Sequence, residues 1–197
     1  RWFAIDPCYV FHQVNAWEEG DVINLFVSKQ DSAFGTDSGD FSEVSRLHRW
    51  QINLATGQVT EEKVDDRPGD FGRVNDKFVG KASQFGYLMA LDGEGNSEEP
   101  VYGSKLYQYD LISGQCNEHN LGNGTRGAEP VYAPVPSSNA ENDGWILCLV
   151  HNEHNNKSKL VIIEADNFSA APVASIELPY PVPYGAHGNW IADQQLN

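Results

Sequence analysis

Two stretches share one pattern: LHRWQINLATGQ, residues 47–58, and LYQYDLISGQ, residues 106–115. Each begins on a leucine, places an aromatic residue three positions later (Trp50, Tyr109), alternates apolar with polar residues, and ends in Thr/Ser-Gly-Gln. Alternation with period two puts successive side chains on opposite faces of a strand. The glycine supplies the backbone freedom of a turn. A looser third copy, KLVIIEADNFSAAPVASIELP (159–179), brings Leu160 to the same place. Leu47, Leu106 and Leu160 stand 59 and 54 residues apart. A four-stranded propeller blade occupies roughly 40–50 residues, and more with long loops. The three copies therefore read as the outer hairpins of successive blades. The competing reading is a sandwich, since any two β-hairpins share some features.

Outward from these hairpins helical periodicity is nearly absent, and short apolar or alternating runs recur between clusters of Gly, Asn, Asp, Ser and Pro. The predicted strands are Val22–Ser28, Glu43–Leu54, Gln58–Lys63, Gln84–Leu91, Ser104–Asp110, Glu129–Ala133, Trp145–His151, Lys159–Glu164 and Val173–Leu178. The fold class is all-β.

The chain has 197 residues, with 5 Trp, 8 Tyr and 9 Phe, enough for one globular domain with a sizeable core. Formal net charge is −15, which excludes a nucleic-acid partner because the phosphate backbone would be repelled. It also opposes docking on anionic lipid through a basic patch, while an apolar small molecule is compatible with it. Three scattered cysteines, Cys8, Cys116 and Cys148, form no disulfide framework and point to a reducing compartment, cytoplasmic or organellar, a plastid included. No apolar run is long enough to span a bilayer, and no signal peptide is visible. The chain opens on Arg1 and runs directly into WFAIDPCYVF, which reads as a chain cut from something longer.

Two polar tips carry little chemistry. LDGEGNSEEP (91–100) reads as a solvated acidic tip rather than a calcium loop. HNEHNNKSK (151–159), with His151 and His154, reads as an exposed turn with no carboxylate to orient either ring. Four other places stand apart. They are His12 in FHQVNAWEEGD (11–21), Asp70 in PGDFGRVND (68–76), Glu129 in GAEPVYAP (127–134), and His187 in LPYPVPYGAHGNW (178–190). Gly185 and Gly188 there permit a close backbone approach. His12 alone leaves two readings open, a hydrogen-bonded core histidine or a metal ligand.

FHQVNAWEEGD, GAEPVYAP, the hairpin NDGWILCLV (142–150) and VPYGAHGNW, in this order, resemble the C-terminal part of the carotenoid cleavage oxygenases. That family includes retinoid isomerohydrolases and bacterial stilbene-cleaving enzymes. The resemblance runs from about Trp2 to Trp190. It implies that residues 1–197 are the C-terminal blades of one seven-bladed β-propeller whose N-terminal part lies outside this chain. It further implies Fe(II) on the propeller axis, held by four histidines whose rings are oriented by carboxylates. By motif, His12 matches the third ligand and His187 the fourth. Glu129 matches the glutamate of a Glu-Pro motif. Asp70 stands where the family has Glu in Glu-Phe-Pro-Arg, and this chain reads Asp70-Phe71-Gly72-Arg73. The first two ligands would come from the N-terminal half, and His48, His119, His151 and His154 lie in no corresponding motif.

An imidazole shell suits Fe(II) and leaves positions for O₂, and a carboxylate on the far ring nitrogen fixes the tautomer. Two departures bear on this. Asp is shorter than Glu by one CH₂, on the order of 1.5 Å of reach, so a water or a backbone shift is expected between Asp70 and its histidine. Gly72 in place of Pro is expected to loosen the strand. The activity implied is oxidative cleavage of a conjugated C=C bond of a carotenoid, an apocarotenoid or a stilbene, with O₂ and a hydrophobic substrate as partners. Peripheral membrane contact would come through parts outside this chain. The alternative is a non-enzymatic, degenerate propeller piece acting as a binding or structural module. As a free half-ring it would expose unpaired edges and hold iron weakly.

Overall fold

In the computed structural model, described over residues 1–32, 44–92, 101–183 and 187–196, the regular structure is almost all antiparallel strand. The strands are β1 Tyr9–Glu19, β2 Val22–Gln30, β3 Arg46–Asn53, β4 Val59–Arg73, β5 Phe85–Asp92, β6 Val101–Asp110, β7 Cys116–Asn120, β8 Thr125–Gly127, β9 Val131–Pro134, β10 Gly144–Asn152, β11 Lys157–Glu164 and β12 Ala174–Glu177. Among the described residues two single 3₁₀ turns, Asp76–Phe78 and Asp193–Gln195, complete the regular structure. Among the described residues no helix is long and apolar enough to cross a membrane.

The repeat becomes one hairpin built twice. Asn53 Oδ1 accepts from the amides of Ala55 and Thr56, and Asp110 Oδ1 accepts from those of Ile112 and Ser113. Gly57 N–H donates back to Asn53 O and Gly114 N–H to Asp110 O, both at 2.8 Å. Both glycines hold a left-handed φ, +80° and +74°, which is why the repeat ends in glycine. The leucines Leu47 and Leu106 point into the core, fully buried. In the third copy β11 and β12 pair, with Leu160 opposite Ile176.

Strand pairing sorts these elements into three blades. In the first, β1, β2, β3 and the start of β4 pair in order, ending with Ile52 opposite Val59. β4 then changes partner. Its final run, Gly69–Arg73, pairs with β5 and opens the second blade, which continues through β6 and β7. The third blade has β8 and β9 end to end along the same edge of β10, followed by β11 and β12. A strand that closes one blade and opens the next is the connection a propeller needs.

Most predicted strands are present, with three differences. β4 continues to Arg73, far beyond Lys63. β1, β7 and β8 occur where no strand was predicted. Glu129 lies between β8 and β9 rather than in a strand, because Pro130 has no N–H to give to the ladder. Glu43, Gly185 and most of the acidic tip, residues 93–100, lie outside the described residues.

The cores lie between blades. Val14, Trp17, Phe26, Leu47, Leu88 and Tyr109 belong to a cluster joining the first two blades. Tyr87, Met89, Leu106, Ile146, Val161 and Phe168 belong to one joining the second and third. Each such side chain, fully buried, contributes about 1.5–3 kcal/mol. Gly72 sits where a Cβ would meet Val14 Cγ2 at 2.5 Å. Its role is therefore close packing of β4 on β1, not the loosening expected from the sequence.

Candidate metal centre

The four residues singled out from the sequence come together at the innermost edge of the blades. His12 lies on β1, the first strand of the first blade, and Asp70 on the β4 run that opens the second blade. Glu129 interrupts the first strand of the third blade, and His187 follows that blade in the segment after β12. Each of the three strands is irregular where it meets the site. The β1 register shifts on both sides of His12, between Val10 and His12 and between Gln13 and Asn15. The β4 register shifts between Asp70 and Arg73, with Phe71 at φ +57°. Bulges re-aim side chains in this way beside functional sites.

Two histidine–carboxylate pairs result. His12 Nδ1 is 3.0 Å from Asp70 Oδ1, and His187 Nδ1 is 3.4 Å from Glu129 Oε1. A carboxylate only accepts, so each ring donates from Nδ1 and turns Nε2 away from its carboxylate. The two rings meet edge to face with centroids 5.1 Å apart. Phe71 stacks on His12 at 4.6 Å and touches the His187 ring at 5.8 Å. Of the two expectations, a water or a backbone shift, the direct 3.0 Å contact leaves no place for the water. The left-handed turn at Phe71 supplies the missing reach, and the Phe71 amide donates to the same Asp70 oxygen at 2.8 Å.

Both carboxylates are buried, Asp70 5% and Glu129 7% exposed. Buried carboxylates must be satisfied by donors or charge. Glu129 Oε2 accepts from Gly188 N–H at 2.8 Å, and Oε1 also receives Arg73 Nη1 at 3.4 Å. The hydrogen bond to Asp70 lifts the His12 pKa above its ordinary value, with burial opposing and the charges of Asp70 and Glu129 assisting. Beside Glu129 and His187 lies a cavity of about 260 Å³ with an apolar wall that includes Val131, Leu147, Leu149 and Leu160.

A family model described as "RPE65: Retinal pigment epithelial membrane protein" matches residues 1–192. The chain belongs to the RPE65/carotenoid cleavage oxygenase family. It is 34% identical, over 96% of its length, to a "Carotenoid cleavage oxygenase" of Mycobacterium tuberculosis. It is 33% identical over its whole length to "Carotenoid 9,10(9',10')-cleavage dioxygenase 1" of Phaseolus vulgaris. In each case it spans 39% of the relative. The crystal structure of cobalt-substituted Synechocystis ACO superposes with a TM-score of 0.84 at 27% identity, covering 96% of this chain and 40% of that one. The all-β blades of this chain are thus propeller blades of the carotenoid cleavage oxygenases.

In this member of the carotenoid cleavage oxygenases the other histidines are engaged elsewhere. His48 Nδ1 is 3.1 Å from Glu61 Oε1, and His119, buried, is 2.8 Å from Phe168 O. His154 lies in the exposed turn expected. His151 instead lies within strand β10, next to its last residue, is half-buried, meets Ser158 Oγ at 3.2 Å and lines the cavity. Among the described residues no group of three or more His, Cys, Asp or Glu is arranged to hold a metal. Sequence reasoning passed over Arg73 and Phe71, although both stand in the quoted PGDFGRVND. Their contacts with His187 and its neighbours join positions more than a hundred residues apart, which no local pattern encodes.

Proposed function

We propose that this chain carries two of the histidines, His12 and His187, that hold Fe(II) in an oxygenase cleaving a conjugated C=C bond of a carotenoid, apocarotenoid or stilbene to two carbonyl products. The observation that carries the proposal is the meeting of two imidazoles, each with Nδ1 on a buried carboxylate. The donor set fits a metal. Two imidazole rings with centroids 5.1 Å apart, each bonded to a carboxylate through Nδ1, would both have Nε2 to offer a metal ion. A cobalt-substituted relative among the solved structures supports a metal in this family. The residues 1–197 supply consecutive blades of one larger propeller, and the remaining ligands come from the rest of it.

Iron(II), when bound, supplies the redox chemistry with O₂. The chain's own residues hold and orient. Asp70 and Glu129 keep the proton of each ring on Nδ1, so that Nε2 presents its lone pair. The buried carboxylates carry negative charge that compensates a cation. Phe71 packs against both rings, and the apolar cavity wall suits a hydrocarbon substrate. No side chain has to move a proton, in keeping with a sequence that carries no nucleophile motif and no paired-carboxylate motif. The degenerate-module alternative drew on Asp70 and Gly72; the direct Asp70–His12 contact and the packing of Gly72 against Val14 support the metal-site reading instead.

The test is metal binding by the full-length protein, followed by its products. It should take up one Fe(II) anaerobically and, given O₂, release aldehydes from a panel of polyenes and stilbenes. His12→Ala and His187→Ala should each abolish tight uptake. Iron uptake unchanged in both variants would sink the proposal.

A further inference from the structure

Arg73 stands three residues beyond Asp70 on the same run of β4, and its guanidinium reaches the other histidine's surroundings. Nη1 is 3.4 Å from Glu129 Oε1 and 3.4 Å from the carbonyl of Gly188. Nη2 is 3.2 Å from Asn189 Oδ1 and 3.8 Å from Asp76 Oδ1. Gly188 is thereby held from both sides, its N–H by Glu129 Oε2 at 2.8 Å and its carbonyl by Arg73. His187 needs this support. Its side chain is 57% exposed, so His12 and Phe71 enclose its ring only in part, and residues 187–190 belong to no strand. The polar contacts of Glu129 with its ring and with Gly188 add the rest of its orientation.

We propose that Arg73 is a positioning residue for the metal site: it sets the orientation of His187 through Glu129 and Gly188 and ties that histidine to His12. The inference rests on the proposed function. Arginine suits the role for two reasons. It is always charged and so balances buried Glu129. Its planar fork also satisfies several acceptors at once, here a carboxylate, a carbonyl and an amide oxygen, which a lysine ammonium on a flexible stem holds less rigidly. Because Asp70 and Arg73 share one short run, that run fixes both rings together: Asp70 takes His12, and Arg73 takes the Glu129–Gly188 frame of His187. A shift of β4 would move both ligands in concert.

The experiment uses the full-length protein with Co(II) as probe, reading affinity by chelator competition and ligand geometry by visible absorption. Arg73→Met should weaken Co(II) binding about 10–100-fold, the usual effect of losing a residue that supports a ligand, and should alter the spectrum. Arg73→Lys keeps the charge and should recover only a small part of the loss. It carries the test alone where Arg73→Met does not fold. In a Glu129→Gln background Arg73→Met should cost less than it does alone, since Arg73 acts in part through Glu129 and in part through the Gly188 carbonyl. Wild-type affinity and spectrum in Arg73→Met, full recovery in Arg73→Lys, or full additivity with Glu129→Gln would each overturn the inference. If His12→Ala and His187→Ala weaken binding while Arg73→Met does not, only the role of Arg73 falls. If those histidine variants leave binding unchanged, the metal site falls and this inference with it.

Discussion

Asp70 has one methylene fewer than the glutamate the family motif carries, yet its Oδ1 lies 3.0 Å from His12. The backbone makes up the difference, since the left-handed residue Phe71 and the register shift at β4 bring the shorter side chain forward. A bulky residue at positive φ costs of order 1–3 kcal/mol, a strain that persists only where surrounding structure imposes it. Here the Phe71 ring is stacked on His12 and its amide is bonded to Asp70. Replacing Asp70 by Asn keeps an acceptor for the His12 N–H but removes the charge. In the full-length protein Asp70→Asn should therefore leave the fold intact and weaken metal binding about 10–100-fold, read by chelator competition. Binding at wild-type strength would show that Asp70 does not act on the metal through His12. His12 by itself could not be told from a hydrogen-bonded core histidine in the sequence. Only its order with Glu129, Asp70 and VPYGAHGNW carried the reading, because a motif is a one-dimensional trace of contacts that local chemistry does not show.

The outer hairpins were legible as elements because everything that builds them is local. Leucine, aromatic, alternation, Asx turn and glycine lie within a dozen residues, and the same hydrogen bonds recur in both copies. The innermost strands are legible only in part: the predicted Glu129–Ala133 covers β9 from Val131 to Ala133, while β1, β8 and the inner run of β4 match no predicted strand. β1 is bulged around His12, the inner run of β4 follows a change of partner, and β8 and β9 are split by Pro130. Each loses its two-residue period where it carries a site residue, so the pattern fails at the functional positions. Gly72 belongs to this element and gives a test of it. A methyl group there would meet Val14 Cγ2 at 2.5 Å, with Val14 Cβ at 3.2 Å behind it. Gly72→Ala should destabilise the protein by about 1–3 kcal/mol, as overpacking does. Val14→Ala in the same chain should relieve part of that cost, since it removes the nearest atom. Thermal unfolding of the two single variants and the double variant measures the coupling. Strict additivity would show that β1 and β4 do not press on each other there.

At the scale of the whole molecule the blades are held by what lies between them, and one of those contacts titrates. His119 on β7 of the second blade is 3% exposed and donates from Nδ1 to Phe168 O, in the turn that follows β11 of the third. Burial pushes its pKa below the ordinary 6.5, Lys159 adds to the effect, and the bond to Phe168 opposes it. A histidine with a lowered folded pKa binds fewer protons folded than unfolded between the two values, so stability rises with pH across that window. The contribution is complete above pH 6.5, the unfolded value, and is lost progressively as pH falls through it towards the folded pKa. Its slope is at most about 1.4 kcal/mol per pH unit. His48, lowered chiefly by burial, acts in the same direction, while His12, raised by Asp70, acts in the opposite one. The variant His119→Asn removes one of these three titrations, so the comparison between proteins isolates it. Denaturant unfolding of the full-length protein between pH 5 and pH 8 should show stability falling below pH 6.5 more steeply in the wild type than in His119→Asn. The difference should vanish above pH 7.5, apart from a constant offset. Parallel curves over the whole range would mean that the histidine between the second and third blades stays equally protonated in the folded and unfolded chains.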